Sequence, residues 1–162
     1  MMHQRYQLLR QSGARNIVTY NEKTYRPLPF LVLIVDELAE LMLAGGRDSE
    51  AKLVRLAQMG RAAGIHLVLS TQRPTVDVVT GLLKANISTR ISFAVASRTD
   101  SRVILDVAGA ENLLGKGDML LLAKESPMPR RVQGALVQED GISRIVDFWT
   151  NIASRGVLGH RA

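Results

Sequence analysis

From Phe30 to Val35 the chain is apolar without interruption (FLVLIV), and it turns acidic at Asp36 and Glu37. A run of this kind suits a strand buried on both faces of a parallel sheet. A helix is expected from Glu37, with Leu38, Leu41 and Met42 on one face, closing before Gly45-Gly46. Asp48 or Ser49 is a candidate cap for a second helix, in which Leu53, Leu56, Ala57 and Met59 recur at helical spacing up to Gly64. His66–Ser70 (HLVLS) reads as another buried strand. A helix is expected over Val78–Ala85, a strand over Ile91–Val95 and a helix over Ser101–Ala108. Strands at Met119–Ala123 and Arg131–Val137 and a last helix from Gly141 to Ile152 complete the pattern. Upstream, residues 3–12 read as a helix stopped by Gly13, and residues 13–29, with Asn16, Asn21, Pro27 and Pro29, as a connector. Strand and helix alternate through residues 30–108, so the class is α/β with a mainly parallel sheet. Ligands of such sheets sit beyond the carboxyl ends of the strands.

Two features stand at such ends. Asp36-Glu37 follows the most apolar strand and has two readings. One is a helix that starts in acidic residues, favoured by its dipole. The other is a Walker B motif, in which the Asp holds a nucleotide's Mg²⁺ and the Glu polarises the attacking water. The strand HLVLS ends in Ser70-Thr71-Gln72-Arg73-Pro74, either a polar turn before proline or a sensor of the γ-phosphate. Thr71 and Gln72 occupy the sensor place.

Composition narrows the classes further. The 162 residues carry a formal charge of +6, which favours a polyanionic partner. Aromatics make up only 4%, which argues against a reader of single strands by base stacking. No cysteine is present, which removes disulfides, cysteine-ligated zinc and thiol nucleophiles. His3, His66 and His160 are scattered and no G-x-S-x-G occurs, so neither a zinc hydrolase nor a serine hydrolase is indicated. The first ten residues do not read as a signal peptide, and the longest apolar run, Leu28–Val35, is shorter than the about 20 residues of a membrane span.

Three long stretches, FLVLIVDELAELM, LAQMGRAAGIHLVLSTQRPTVDVVTGLLKANISTRISF and SRTDSRVILDVAGAENLLGKGDML, resemble the FtsK/SpoIIIE family of motors that pump double-stranded DNA. RNIVTYNEK resembles the segment before Walker B in that family, and the likeness runs from about residue 3 to residue 149. The resemblance implies an α/β, RecA-like P-loop NTPase core with a mainly parallel twisted sheet and flanking helices. It implies a homo-hexameric ring that hydrolyses ATP with Mg²⁺ between subunits and draws duplex DNA through its centre. Residue by residue it implies Asp36 (the metal residue) and Glu37 as the Walker B pair, and Gln72 with Thr71 at the sensor. It also implies Arg61 as an arginine finger with Arg55 as its rival, and Arg73, Lys84, Arg98 and Arg102 as contacts to DNA. Independently of the resemblance, residues 73–102 hold an excess of three positive charges. That suits sequence-independent phosphate contacts, or simply a basic surface. Gly115, Gly117 and Asp118 match the family's GxGDML turn.

One departure from the family pattern matters. No G-x-x-x-x-G-K-[ST] occurs, and Gly115-Lys116 cannot supply it, because Ala110 stands where the first glycine belongs. The core is therefore expected to be N-terminally truncated, with Met1 an internal start or a cut end, and the isolated chain to hydrolyse nothing measurable. The family's membrane helices and winged-helix domain have no counterpart in these residues. The expected division is helix and connector 1–29, partial motor core 30–152 and loose tail 153–162, in a cytoplasmic segment of a protein anchored at the membrane or division septum. Two other readings stand beside the DNA motor: a non-catalytic DNA-binding or ring-interaction module, and a related protein-secretion motor.

Overall fold

The computed structural model describes residues 1–154. Its elements are α1 (Met2–Gln11), α2 (Ile17–Lys23), β1 (Leu31–Val35), α3 (Leu38–Met59), β2 (Ile65–Leu69) and α4 (Gly81–Asn86). They are followed by β3 (Arg90–Phe93), α5 (Arg98–Leu105), a 3₁₀ turn (Ala110–Asn112), β4 (Asp118–Leu122), β5 (Arg130–Gln133) and α6 (Glu139–Ser154). Of the expected tail, residues 153–154 close α6 and residues 155–162 lie outside the described residues.

The α/β class is borne out, with parallel pairing between β1 and β2, from Leu31 opposite Ile65 to Val35 opposite Leu69. β3, β4 and β5 form a separate antiparallel sheet, a departure from a mainly parallel arrangement. The link from β4 to β5 spans only residues 123–129. A parallel crossover needs a dozen residues or more, so this connection permits only an antiparallel neighbour.

Local chemistry explains the helix boundaries. Residues 13–29, expected as a connector, contain α2, because Asn16 is a working N-cap: its side chain accepts from the Thr19 amide at 2.9 Å. Thr80 and Ser97 cap α4 and α5 in the same way. The break expected at Gly45-Gly46 is a kink within α3, where Gly46 has φ 49° and ψ −135°.

The main core joins α3, α4 and the loop before α4 through Leu38, Ala39, Leu53, Val78 and Leu83, with Leu69 of β2 packed against them. The burial of β1 on both faces is not found. Phe30, Val32 and Ile34 share the second face with His66 and Val68, and no described residue covers it: Val32 is 61% and Ile34 67% exposed. The apolar run therefore reports one partly covered face, on which Leu31 and Val35 are half-buried while Leu33 stays 42% exposed, and one open face. The accessible surface of 11893 Å² exceeds the roughly 8,000 Å² of a compact chain of this mass. α6 also leaves Ile142, Ile145, Val146 and Trp149 about half exposed along one side.

Candidate functional site

Because β1 and β2 run parallel and in register, they deliver Asp36-Glu37 and Ser70-Thr71-Gln72 to the same edge. The Ser70 amide donates to the Val35 carbonyl at 2.9 Å, and the Leu38 amide donates to the Ser70 carbonyl at 2.7 Å. The Ser70 hydroxyl donates to the Asp36 carbonyl at 2.5 Å. The two strand ends are thus stitched together beyond the last ladder pair.

Glu37 is the centre of this stitching. As the N-cap of α3, its Oε1 accepts from the Ala39 amide at 2.9 Å and from the Thr71 hydroxyl, and its Oε2 accepts from the Gln72 amide at 2.8 Å. The Thr71 hydroxyl first, then the two amides, hold its carboxyl below the ordinary carboxylate range. The two sequence readings of Glu37 therefore meet in one residue, which caps a helix at the strand end where a hydrolytic carboxylate would stand. The neighbouring Asp36 is exposed. The Gln72 side chain is exposed as well, and it is the backbone of Gln72, not its amide group, that touches Glu37.

An exposed carboxylate beside a second one is a donor set that suits Mg²⁺, which commonly takes one or two carboxylates and completes its shell with water and phosphate. The phosphate half of a nucleotide site is a different matter. A cradle of glycine amides with its lysine is not among these residues.

Arg61 lies on the far side of α3, in the turn that leads to β2, with its side chain exposed. That turn is tied to both N-terminal helices by hydrogen bonds. The Tyr6 hydroxyl donates to the Met59 carbonyl at 2.7 Å and the Arg5 guanidinium to the Ala63 carbonyl at 2.9 Å. The Ile17 amide donates to the Ala62 carbonyl at 2.8 Å. Arg55, the rival cation, is exposed further back on α3, beside Arg47, Glu50 and Gln58 in a shallow depression.

The four expected DNA contacts are not equivalent. Arg73 and Arg102 are exposed. Arg98 reaches Glu111 at 3.4 Å. Lys84 is drawn in: its ammonium lies 2.6 Å from Asp106, which also takes Arg90 at 2.6 Å. Asp106 closes α5 in the left-handed conformation, φ 64°, and joins α4, β3 and α5 at one carboxylate. Sequence reading missed this node, since only the fold brings Lys84, Arg90 and Asp106 together. The GxGDML turn is built as a tight structural turn: residues 115–117 all have positive φ, and Asp118 accepts from the Leu114 amide and from Arg131.

A carboxylate pair and a polar strand end at the head of a parallel pair define the class, that of ATPase motor domains with a RecA-like core. Two solved structures share the architecture. The chain matches the pCW3 conjugation coupling protein TcpA, determined with ATPγS, at a TM-score of 0.75 and 33% identity, covering 91% of this chain and 45% of that one. It matches the cytoplasmic domain of the type VII secretion ATPase EccC of Thermomonospora curvata at a TM-score of 0.72 and 29% identity, covering 82% of this chain and 16% of that one.

Within that class the chain belongs to the FtsK/SpoIIIE family, whose model matches residues 1–76. It is 53% identical to DNA translocase FtsK of Halalkalibacterium halodurans over 91% of this chain, and 51% identical to DNA translocase SpoIIIE of Bacillus subtilis over 90%. The chain spans about a fifth of the length of these relatives, 20% in each case. Among the described residues, no helix is long and apolar enough to cross a membrane.

Proposed function

We propose that this chain is the Walker B and DNA-loop part of an ATP-driven motor that translocates double-stranded DNA. The observation that carries the reading is the stitched strand edge: Asp36 and Glu37 set by register against Ser70–Gln72. The resemblance to DNA translocases at about half identity supports the substrate.

In this reading Asp36 supports the Mg²⁺ that accompanies ATP, and that ion supplies charge neutralisation on the phosphates. Glu37 orients the attacking water once one of its three present donors gives way. Thr71 and Gln72 couple that carboxylate to the neighbouring strand, so that a phosphate at the edge is felt at both. Arg61 is offered to a phosphate held by a neighbouring subunit of a homo-hexamer, with Arg55 as the alternative. Arg73 and Arg102 meet the DNA backbone directly, Arg98 after leaving Glu111, and Lys84 only if Asp106 releases it. The segment works on the cytoplasmic side, whatever anchors the complete protein.

The test is hydrolysis of ATP by the full-length gene product with and without duplex DNA. Duplex-stimulated turnover that Glu37→Gln abolishes is the expected result. Turnover indifferent to duplex would favour a protein-secretion motor. The 162-residue chain alone is expected to bind duplex weakly and to hydrolyse nothing. Robust hydrolysis by it would overturn the assignment of phosphate binding to residues elsewhere.

A further inference from the structure

The turn that carries Arg61 is held more tightly than a connection between a helix and a strand requires. Each carbonyl from Met59 to Gly64 accepts a hydrogen bond. Gly60 receives the Ile65 amide at 2.8 Å, Arg61 the Gly64 amide at 3.1 Å and Gly64 the Leu31 amide at 2.8 Å. The remaining three, Met59, Ala62 and Ala63, are satisfied by the N-terminal helices: Tyr6, Ile17 and Arg5. Exposed loops ordinarily leave such carbonyls to water. Here Arg5, only 6% exposed, spends its guanidinium on one of them, with no carboxylate ion-paired to it among the described residues. Burying a charged group is costly, so its position implies that the turn's geometry matters. Ile17, 2% exposed, packs against Gly64 from the same side.

We propose that Arg5 and Tyr6 are positioning residues for Arg61: α1 clamps the Met59–Gly64 turn so that the Arg61 guanidinium is presented from a fixed backbone to a nucleotide phosphate on a neighbouring subunit. Arg61 itself is exposed while its backbone is immobilised on every side, the arrangement in which a long side chain loses least freedom on engaging an anion. The inference rests on the reading of Arg61 given above, and it adds that the first helix of the chain acts through that residue.

The experiment uses the full-length gene product, with two readouts. In hydrogen exchange, Tyr6→Phe and Arg5→Met are expected to speed exchange about tenfold in peptides containing Ile17 and residues 60–65, and nowhere else, with Arg5→Lys partly restoring protection. In duplex-stimulated hydrolysis, the same variants are expected to lower kcat several-fold at unchanged KM, with no further loss when combined with Arg61→Ala. Exchange that is unchanged, or that rises over the whole chain, overturns the clamp. Losses that add to that of Arg61→Ala overturn the route through Arg61. Full kcat in Arg61→Ala alone sinks the reading of Arg61 itself, and the exchange data tell that outcome apart from a failed clamp. A fall in duplex affinity in place of kcat puts the phosphate on DNA and overturns the nucleotide assignment.

Discussion

The Thr71 hydroxyl ends on Oε1 of Glu37, joining the second residue after β2 to the residue before α3 across 34 positions of sequence. The carboxylate that would activate water is therefore held by the strand that would sense phosphate, and neither changes without the other.

Replacing Thr71 by Val removes the largest of the influences that lower the Glu37 pKa. Because that bond favours the charged carboxylate, its loss is expected to raise the titration midpoint of Glu37 toward the ordinary carboxylate value. Carboxyl ¹³C chemical shifts followed against pH in the two proteins read this directly. A midpoint that stays put would show that the amides of Ala39 and Gln72 suffice.

Asp118, held at about 2 by Arg131 first and by the Leu114 amide next, makes stability depend on acid in a defined window. A folded-state value below the unfolded value, ordinarily about 3.9, contributes stability above the unfolded pKa and loses it as pH falls through the folded one. The Tm gap between the wild type and Asp118→Asn is therefore expected to be full at pH 5, to shrink below about pH 4 and to be least near pH 2. A gap that is constant from pH 5 to pH 2 would contradict the pairing.

Duplex binding at several salt concentrations separates the basic residues. Arg73→Ala and Arg102→Ala are each expected to lower the slope of log K against log salt by about 0.9, the release from one phosphate contact. Lys84→Ala is expected to change it less, since that ammonium already faces Asp106. An equal loss from all three would mean that Lys84 leaves Asp106 whenever DNA arrives.

Gly64→Ala tests the packing behind the Arg61 turn. Gly64 has φ 72°, and a Cβ there would overlap Cδ1 of Ile17 and lie 3.0 Å from its Cγ2. Backbone strain and overpacking together are expected to cost about 3 kcal/mol, read as a lower urea midpoint. An unchanged midpoint would mean that α2 yields easily.

Much of this was legible in the residues themselves. FLVLIV followed by Asp36-Glu37, and HLVLS followed by a polar turn, located both strands and the edge where they meet, because strand register is local and parallel ends coincide. α2 was hidden by its shortness: seven residues with Pro27 and Pro29 beyond them read as a connector, although Asn16 announced a cap. The ion pair of Lys84 was hidden for a different reason. The charge of Lys84 is visible in sequence, but its partner lies 22 residues on, in a left-handed residue that pattern alone does not mark. The cover of β1 was likewise beyond periodicity, since an apolar run states that a strand can be buried, not how many of its faces are.

The open face of β1 and β2 carries a thermodynamic signature of its own. Heat capacity and denaturant sensitivity both scale with the surface that folding removes from water. With Phe30, Val32, Ile34 and Val68 still wet in the folded chain, unfolding releases less new apolar surface than a domain of this length ordinarily hides. The chain should melt over a broad temperature range, with a shallow urea slope and a flattened stability curve, and any molecule that seats itself on that face should sharpen all three.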